Sequence, residues 1–314
     1  MSEQTLIAVK HLSRYYGGLC AVNNISFEVK RGQILGFLGA NGAGKSTTMQ
    51  MLAGALAPTT GEIIIAGYDL LDYPLQAKSA VGYLPEQPPL YQEMLVNEFL
   101  TFCARLHHIP RAEIHDAVER AIILCGLEKV YKRLIGNLSK GFQQRVGIAQ
   151  AIIHSPSVVI LDEPTVGLDP IQMREIRHLI IELGQEHSVI LSTHILPEVQ
   201  AVCNHVQIIH QGQLLFSDTI EGLFAQIKGE SLQIGLQRPP ALTELKQIQG
   251  VEDIEQIDNN RLRIWHQPEH NPAENIVLKS VADNWGLFEL IPEQQSLEQI
   301  FVNLTTEDEL EDAA

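Results

Sequence analysis

The chain has 314 residues, 45% hydrophobic and 19% charged, the balance of a folded protein rather than a disordered one. Its 22 Lys and Arg face 38 Asp and Glu, a formal charge of −16, which argues against a general nucleic-acid binder with a basic face. No apolar run nears the ~18 residues of a membrane span, the start Met1-Ser2-Glu3-Gln4-Thr5 lacks a signal-peptide pattern, and Cys20, Cys103, Cys125 and Cys203 form no C-x-x-C pair, which fits a reduced, cytoplasmic setting with no disulfide or metal role for them.

In chain order, Ile34–Leu38 reads as a short buried strand, followed by Gly39-Ala40-Asn41-Gly42-Ala43-Gly44-Lys45-Ser46 and a helix over Ser46–Leu56. The eight residues match G-x-x-x-x-G-K-[ST] between a strand and a helix, the setting that makes this pattern a phosphate-binding loop. Glycines let the backbone wrap with its N–H groups inward, and the helix start adds positive potential. Lys45 supplies a point charge to the outer phosphates, and the Ser46 hydroxyl can ligate Mg²⁺. Helical periodicity then covers Val96–Leu106 and Ile114–Leu124, and Ser139 stands as a cap before a helical stretch over Gly141–Ile153.

Val158–Leu161 forms another apolar strand, and the carboxylates Asp162 and Glu163 follow where it ends. Open α/β sheets bind ligands beyond the carboxyl ends of their strands. Asp162 is therefore expected to hold Mg²⁺ and Glu163 to polarise an attacking water. A further strand, Ser188–Thr193, places His194 at the same kind of end, where an imidazole can contact a γ-phosphate and orient water.

Composition shifts near Ile227-Lys228-Gly229. Residues 1–227 hold 16 basic and 21 acidic side chains, net −5, and residues 228–314 hold 6 and 17, net −11. Before the shift, strands alternate with helices as in an α/β domain. After it come short β-like pieces, Ser231–Gln237, Val251–Ile257, Arg261–His266 and Leu287–Ile291, and helices over Ala273–Ala282 and Leu297–Leu304. Residues 228–306 thus read as a small α+β appendix, with Trp265 and Trp285 as anchors of its core and an acidic, disordered tail at 307–314. His107, His108 and His115 read as solvated helix residues. No internal repeat is visible, so there is one phosphate loop per chain.

Between these pieces lies Leu138-Ser139-Lys140-Gly141-Phe142-Gln143-Gln144-Arg145, which resembles the L-S-G-G-Q signature of ABC transporter ATPases. Phosphate loop, Q-loop region, signature, D-E-P strand and switch histidine occur in that family's order over roughly residues 5–225. Gly167, Leu168 and Asp169 match its D-loop, and Tyr16, before Gly17-Gly18, matches the aromatic that stacks on adenine. The resemblance implies a P-loop NTPase fold over residues 1–227, with a helical subdomain at about 88–155. It implies ATP as substrate, with Mg²⁺. The ATP contacts would be Tyr16 with Gly39, Asn41, Gly42, Ala43, Gly44, Lys45, Ser46 and Thr47. It also implies that each site is split between two copies. One gives its phosphate loop, Asp162, Glu163 and His194; the other gives Ser139, Lys140, Gly141 and Phe142 at a helix start.

This chain departs from the family at Lys140 and Phe142, where Gly and Gln are usual, and in the Q-loop region, where Glu86 stands in place of glutamine. Glu86 ranks above the adjacent Gln87 as the metal contact beside Ser46 and Asp162. The L-P-E and L-S-K-G forms resemble ATPases serving ABC-2-type exporters, nearest to those associated with bacterial gliding motility. The implied partners are a separate ABC-2-type membrane permease and a second copy or close relative, with no nucleic acid, at the cytoplasmic face of the inner membrane. Leu90, Tyr91 and Met94 are expected to line the groove for the permease. The alternative is a soluble ABC-type ATPase acting on nucleic acid or ribosomes. The 117 residues from Lys45 to Asp162 leave no room for the long coiled coil of the nucleic-acid group, and ribosome-acting relatives usually carry two ATPase units.

Overall fold

The computed structural model describes residues 4–225, 230–267 and 270–293. Strands β1 (Thr5–Tyr16) and β2 (Leu19–Lys30) come first, each mixing buried and exposed positions because only one face packs inward. Strand β3 (Ile34–Leu38) is buried at all five residues, as the middle of a parallel sheet requires. Then follow α1 (Lys45–Leu52), β4 (Thr60–Ile65), β5 (Tyr68–Asp69), α2 (Pro74–Ser79) and β6 (Val81–Leu84). Helices α3 (Val96–Leu106) and α4 (Ile114–Leu124) have the bounds that their apolar periodicity predicts. After α5 (Lys140–Ile152) come β7 (Val158–Asp162), α6 (Pro170–Glu186), β8 (Ser188–Thr193), α7 (Leu196–Val202), β9 (His205–His210), β10 (Gln213–Thr219) and α8 (Ile220–Ala225).

Six of these strands form a sheet in the order β10-β9-β3-β8-β7-β6, parallel except for the β9–β10 pair. A second sheet, β2-β1-β4-β5, is antiparallel. Side-chain alternation along β7 shows how the parallel sheet is covered. Val158 and Ile160 pack with β1, β2 and α1 residues such as Ile7, Val22 and Met49. Val159 and Leu161 pack with α3, α5 and α6 residues such as Leu100, Val146 and Ile180. Both faces of the strand are thus buried, and its polar groups emerge only at its end. Parallel register brings the carboxyl ends of β3, β6, β7 and β8 to one edge: Leu38 pairs with Thr193, Asp162 with Ser192, and Leu84 with Leu161.

The chain divides into two compact units between Ile220 and Glu221, upstream of the composition shift. The second unit contains β11 (Glu230–Leu236), α9 (Leu242–Leu245), β12 (Asp253–Gln256), β13 (Arg261–His266), α10 (Ala273–Ala282) and β14 (Leu287–Glu293). Its strands form an antiparallel sheet, β12-β13-β11-β14. Its core joins Leu232, Ile234, Leu262, Ile264, Ile276 and Trp285.

Three details differ from the sequence-based expectation. Helix α1 stops at Leu52 rather than Leu56, because Gly54 takes a left-handed φ of 66° and its N–H turns back to Met51 O at 3.0 Å. Trp285 anchors the appendix core but Trp265 does not. The period of two along β13 sends Leu262 and Ile264 inward and Trp265 to the other face. His107 is exposed but not merely solvated: its ring stacks on His154 with centroids 3.8 Å apart. The expected helix over Leu297–Leu304 and the acidic tail lie outside the described residues.

Candidate functional site

The phosphate loop leaves the end of β3 and turns directly into α1. Gly44, at φ 106°, must be glycine twice over: a side chain would be strained there, and a Cβ would stand 2.5 Å from Ala21 O. That close approach sets the start of α1 against β2. Lys45 is 5% exposed, and its Nζ donates to Gly39 O at 2.8 Å and Ala40 O at 3.1 Å, which bends the loop around its own ammonium. A cavity of about 360 Å³ opens above. It is lined by Asn41, Gly42, Gly44, Lys45, Ser46 and Thr47 of the loop and helix start, by Glu86, Glu163 and His194 from three other strand ends, and by Ala21 and Val166. Gly39 and Ala43 do not line it. A Cβ on Gly39 would stand 2.5 Å from Ile209 O, and Ala43 is buried in the core beneath.

Asp162 is 2% exposed at the end of β7. Its Oδ1 accepts from Ser192 Oγ at 2.7 Å and from Ser46 Oγ at 3.3 Å, joining β7, β8 and α1 at one atom. Burial pushes its carboxyl pKa up, the two hydroxyls pull it down, and the nearby Glu163 and Glu86 push it up again. Glu163 is 7% exposed and sits at φ 48°, a strained conformation for a residue with a side chain. Its N–H donates to Ser192 O at 3.0 Å, and Val166 N–H donates to its carbonyl at 3.2 Å. This turn brings the carboxylate back over the loop. Oε1 lies 3.4 Å from Lys45 Nζ, and His194 Nδ1 lies 2.9 Å from Oε2. A carboxylate only accepts, so Nδ1 carries the proton of that bond and Nε2 remains as the ring's other polar atom.

These residues form an oxygen-rich cluster. Ser46 bonds Asp162, and Glu86 and Glu163 line the cavity beside Ser46 with Lys45, although among the described residues no three carboxylates, histidines or cysteines stand close enough together to hold a metal ion by themselves. A buried carboxylate that burial and its neighbours push toward the neutral form fits a site completed by a hard divalent cation and phosphate. Glu86 lines the cavity and its neighbour Gln87 does not, because β6 ends at Leu84 and the chain emerges beside Asp162. Tyr16 is not brought into the lining. It is 44% exposed at the end of β1, with the Arg14 guanidinium 4.7 Å from its ring centroid.

None of the signature residues lines the cavity either. Ser139 caps α5, accepting from Phe142 N at 3.5 Å. Lys140 Nζ occupies the space where a Cβ would stand on Gly167, and a Cβ on Gly141 would stand 2.7 Å from the Gln172 side chain. Phe142, expected among the signature residues offered to a second copy, also packs within its own chain. Its ring is half-buried against this chain's own core, beneath the Arg145 guanidinium at 5.9 Å, and Arg145 pairs with Glu175 of α6 at 2.7 Å. Asp169 caps α6, accepting from Ile171 N and Gln172 N at 2.9 Å each, while Leu168 packs against the core. Of the expected groove residues, Leu90 and Met94 pack on the chain's own core. Tyr91 is 53% exposed, edge-on to Phe99 and Phe102.

Sequence reasoning missed two residues. Ser192 binds Asp162 because parallel register sets them side by side, a neighbour relation no local motif carries. Glu198, 1% exposed, is a buried carboxylate four residues after His194; its position in the first turn of an apolar helix was the available signal.

A family profile described as "ABC transporter" matches residues 22–166. The bacitracin transport ATP-binding protein BcrA of Bacillus licheniformis is 33% identical over 304 residues, covering 96% of this chain and 97% of its own. The ABC transporter ATP-binding protein NatA of Bacillus subtilis is 37% identical over 214 residues, 68% of this chain and 87% of its own. Among solved structures, cbiO1 from Clostridium perfringens, part of an ABC transporter complex, is similar with a TM-score of 0.65 at 30% identity, over 71% of this chain and 92% of that one.

Proposed function

The chain belongs to the family of ABC transporter ATP-binding proteins, subunits that hydrolyse ATP, dimerise and work with a membrane permease, and from that premise we propose how its residues divide the work and which permease it drives. Lys45 and the N–H groups of residues 41, 42 and 44–47 hold the phosphates at the positive start of α1. Glu163 takes a proton from the attacking water. The water oxygen bonds to the γ-phosphorus as the bond from phosphorus to the bridging oxygen breaks, and ADP and phosphate result. His194 holds the Glu163 carboxylate through Nδ1 and turns Nε2 to the site, where it accepts from the water or, carrying a proton as well, donates to the γ-phosphate. Ser46, Asp162 and Glu86 would hold Mg²⁺, which supplies charge neutralisation to the phosphate oxygens when bound.

Tyr16 is assigned to the adenine face. Ser139, Lys140 and Gly141, outside the cavity of their own chain, are assigned to the γ-phosphate held by a second copy or close relative. The D-loop, Gly167, Leu168 and Asp169, lies beside them. The permease is of ABC-2 type and the direction is export. No described helix is long and apolar enough to cross a membrane. As the ATP-hydrolysing partner of a permease, the chain is assigned to the cytoplasmic face of the inner membrane as a peripheral subunit. A relative named for bacitracin transport favours this reading over a soluble ATPase acting on nucleic acid or ribosomes.

The observation that carries the catalytic reading is the Glu163 carboxylate shared by Lys45 and His194 at the mouth of the phosphate loop. Glu163→Gln keeps volume and removes the base. Hydrolysis should fall by ~10²–10⁴-fold while ATP still binds, and dimers should accumulate with Mg·ATP in size-exclusion chromatography. Hydrolysis at the unaltered rate would remove Glu163 from its role.

A further inference from the structure

The buried Glu198 carboxylate is used by none of the steps above. At 1% exposure, a carboxylate needs full compensation. It receives Thr193 Oγ1 on Oε2 at 2.9 Å and Thr165 Oγ1 on Oε1, with Arg177 Nη2 3.6 Å from the same Oε1. These partners come from three places. Thr193 is the last residue of β8 and precedes His194. Thr165 lies two residues after Glu163, in the turn that Val166 N–H closes on the Glu163 carbonyl. Arg177 belongs to α6, which begins where the D-loop ends.

We propose that Glu198 is a positioning residue that ties the turn carrying Glu163 to the strand end carrying His194, and so fixes the base and its imidazole against one another. The inference rests on the roles given above to Glu163 and His194. Glu163 is held at φ 48°, and such a backbone persists only where its surroundings over-determine it. Its N–H is fixed by Ser192 O and its carbonyl by Val166 N–H. Glu198 supplies the third restraint, through Thr165. The same carboxylate holds Thr193, whose Oγ1 also accepts from Ile195 N at 3.1 Å, so the backbone on both sides of His194 is pinned. A shift of either arm changes the 2.9 Å separation between His194 Nδ1 and Glu163 Oε2 without touching the phosphate loop. Proton abstraction is sensitive to that geometry; phosphate binding is not.

The test uses the full chain with Glu198→Gln, Thr165→Val, Thr193→Val and Glu163→Gln. The two valines each remove one arm without leaving a buried charge unpaired, so they remain informative if Glu198→Gln fails to fold. Expected are a kcat lower by ~10-fold in each valine variant and more in Glu198→Gln, with the Kd for Mg·ATP from calorimetry unchanged within about twofold. Adding Glu198→Gln to Glu163→Gln should cost nothing further, since groups acting as one unit are not additive. Folded valine variants with unaltered kcat, or an equal loss in Kd and kcat, overturn the inference. Full activity of Glu163→Gln instead overturns the assignment of the base, which separates the two failures.

Discussion

The two units handle charge differently. In the first, ionisable groups converge at the ends of buried strands. Lys45, Asp162, Glu163 and Glu198 are all buried and each is bound to partners from other elements. In the second, the pairs Lys246–Asp253, Arg261–Glu289 and Arg263–Glu255 lie on the surface of the antiparallel sheet and its connections. A parallel sheet covered on both faces can gather polar groups only at its strand ends, and that concentration is what makes a site. An antiparallel sheet with one open face spreads them out.

The largest effect that bears on this contrast comes from the appendix core. Ile264 is fully buried among Leu232, Ile234 and Leu262. Ile264→Ala should destabilise the second unit by about 2–5 kcal/mol. Calorimetry should show its transition shifting down, with ATP affinity unaltered. A matching loss of ATP affinity would break the contrast, because the phosphate site would then depend on the appendix.

A smaller effect tests the first unit away from its site. His154 Nε2 lies 3.1 Å from Val81 O and must donate, so Nδ1 is the bare nitrogen, buried without a partner among the described residues. Burial, with the stacked His107 and nearby His187, lowers the His154 pKa to about 4. In the unfolded chain it titrates near ~6.5. Between these values the unfolded chain takes up a proton that the folded one refuses, so stability is complete above that window and falls as pH drops through it. The loss should amount to about 1–2 kcal/mol after allowance for partial exposure. Denaturant midpoints at neutral and mildly acid pH should separate less in His154→Gln, which keeps a donor for Val81 O. Equal separation in both proteins would remove His154 as the cause.

Legibility from sequence followed the range of the interactions. Helices α3, α4 and α10 were readable to the residue because a helix's apolar stripe is local. The loop of residues 39–46 was readable because its chemistry is contiguous and its strand and helix flank it. Ser192 beside Asp162, and Glu198 between Thr165 and Thr193, were not readable, since register and tertiary packing bring them together. The packing of Phe142 within its own chain was hidden for the same reason. The signature placed it at a helix start, but only the fold shows it beneath Arg145 and against the core. Trp265 shows the limit in the appendix: an aromatic in a strand was taken for core before its parity was known.

The finest comparison sets two ion pairs of equal length against each other. Arg145–Glu175 and Arg261–Glu289 both measure 2.7 Å. Length does not decide their contributions; surroundings do. Arg145 is 17% exposed, also donates to Cys125 O at 3.1 Å and covers the Phe142 ring, so its removal strips packing and leaves a buried carbonyl unpaired. Arg261 is 45% exposed at the open face, with Asp258 3.8 Å away as a second acidic neighbour. Water and salt screen such a pair, and side-chain entropy offsets much of what remains. Arg145→Ala should therefore cost about 1–2 kcal/mol, and nearly as much in ~1 M salt as in dilute buffer. Arg261→Ala should move the melting temperature of its unit by no more than ~1–2 °C, a shift that disappears in ~1 M salt. If salt erases the Arg145 effect as well, both units hold their charges at the surface in the same way, and burial is not what sets the first apart.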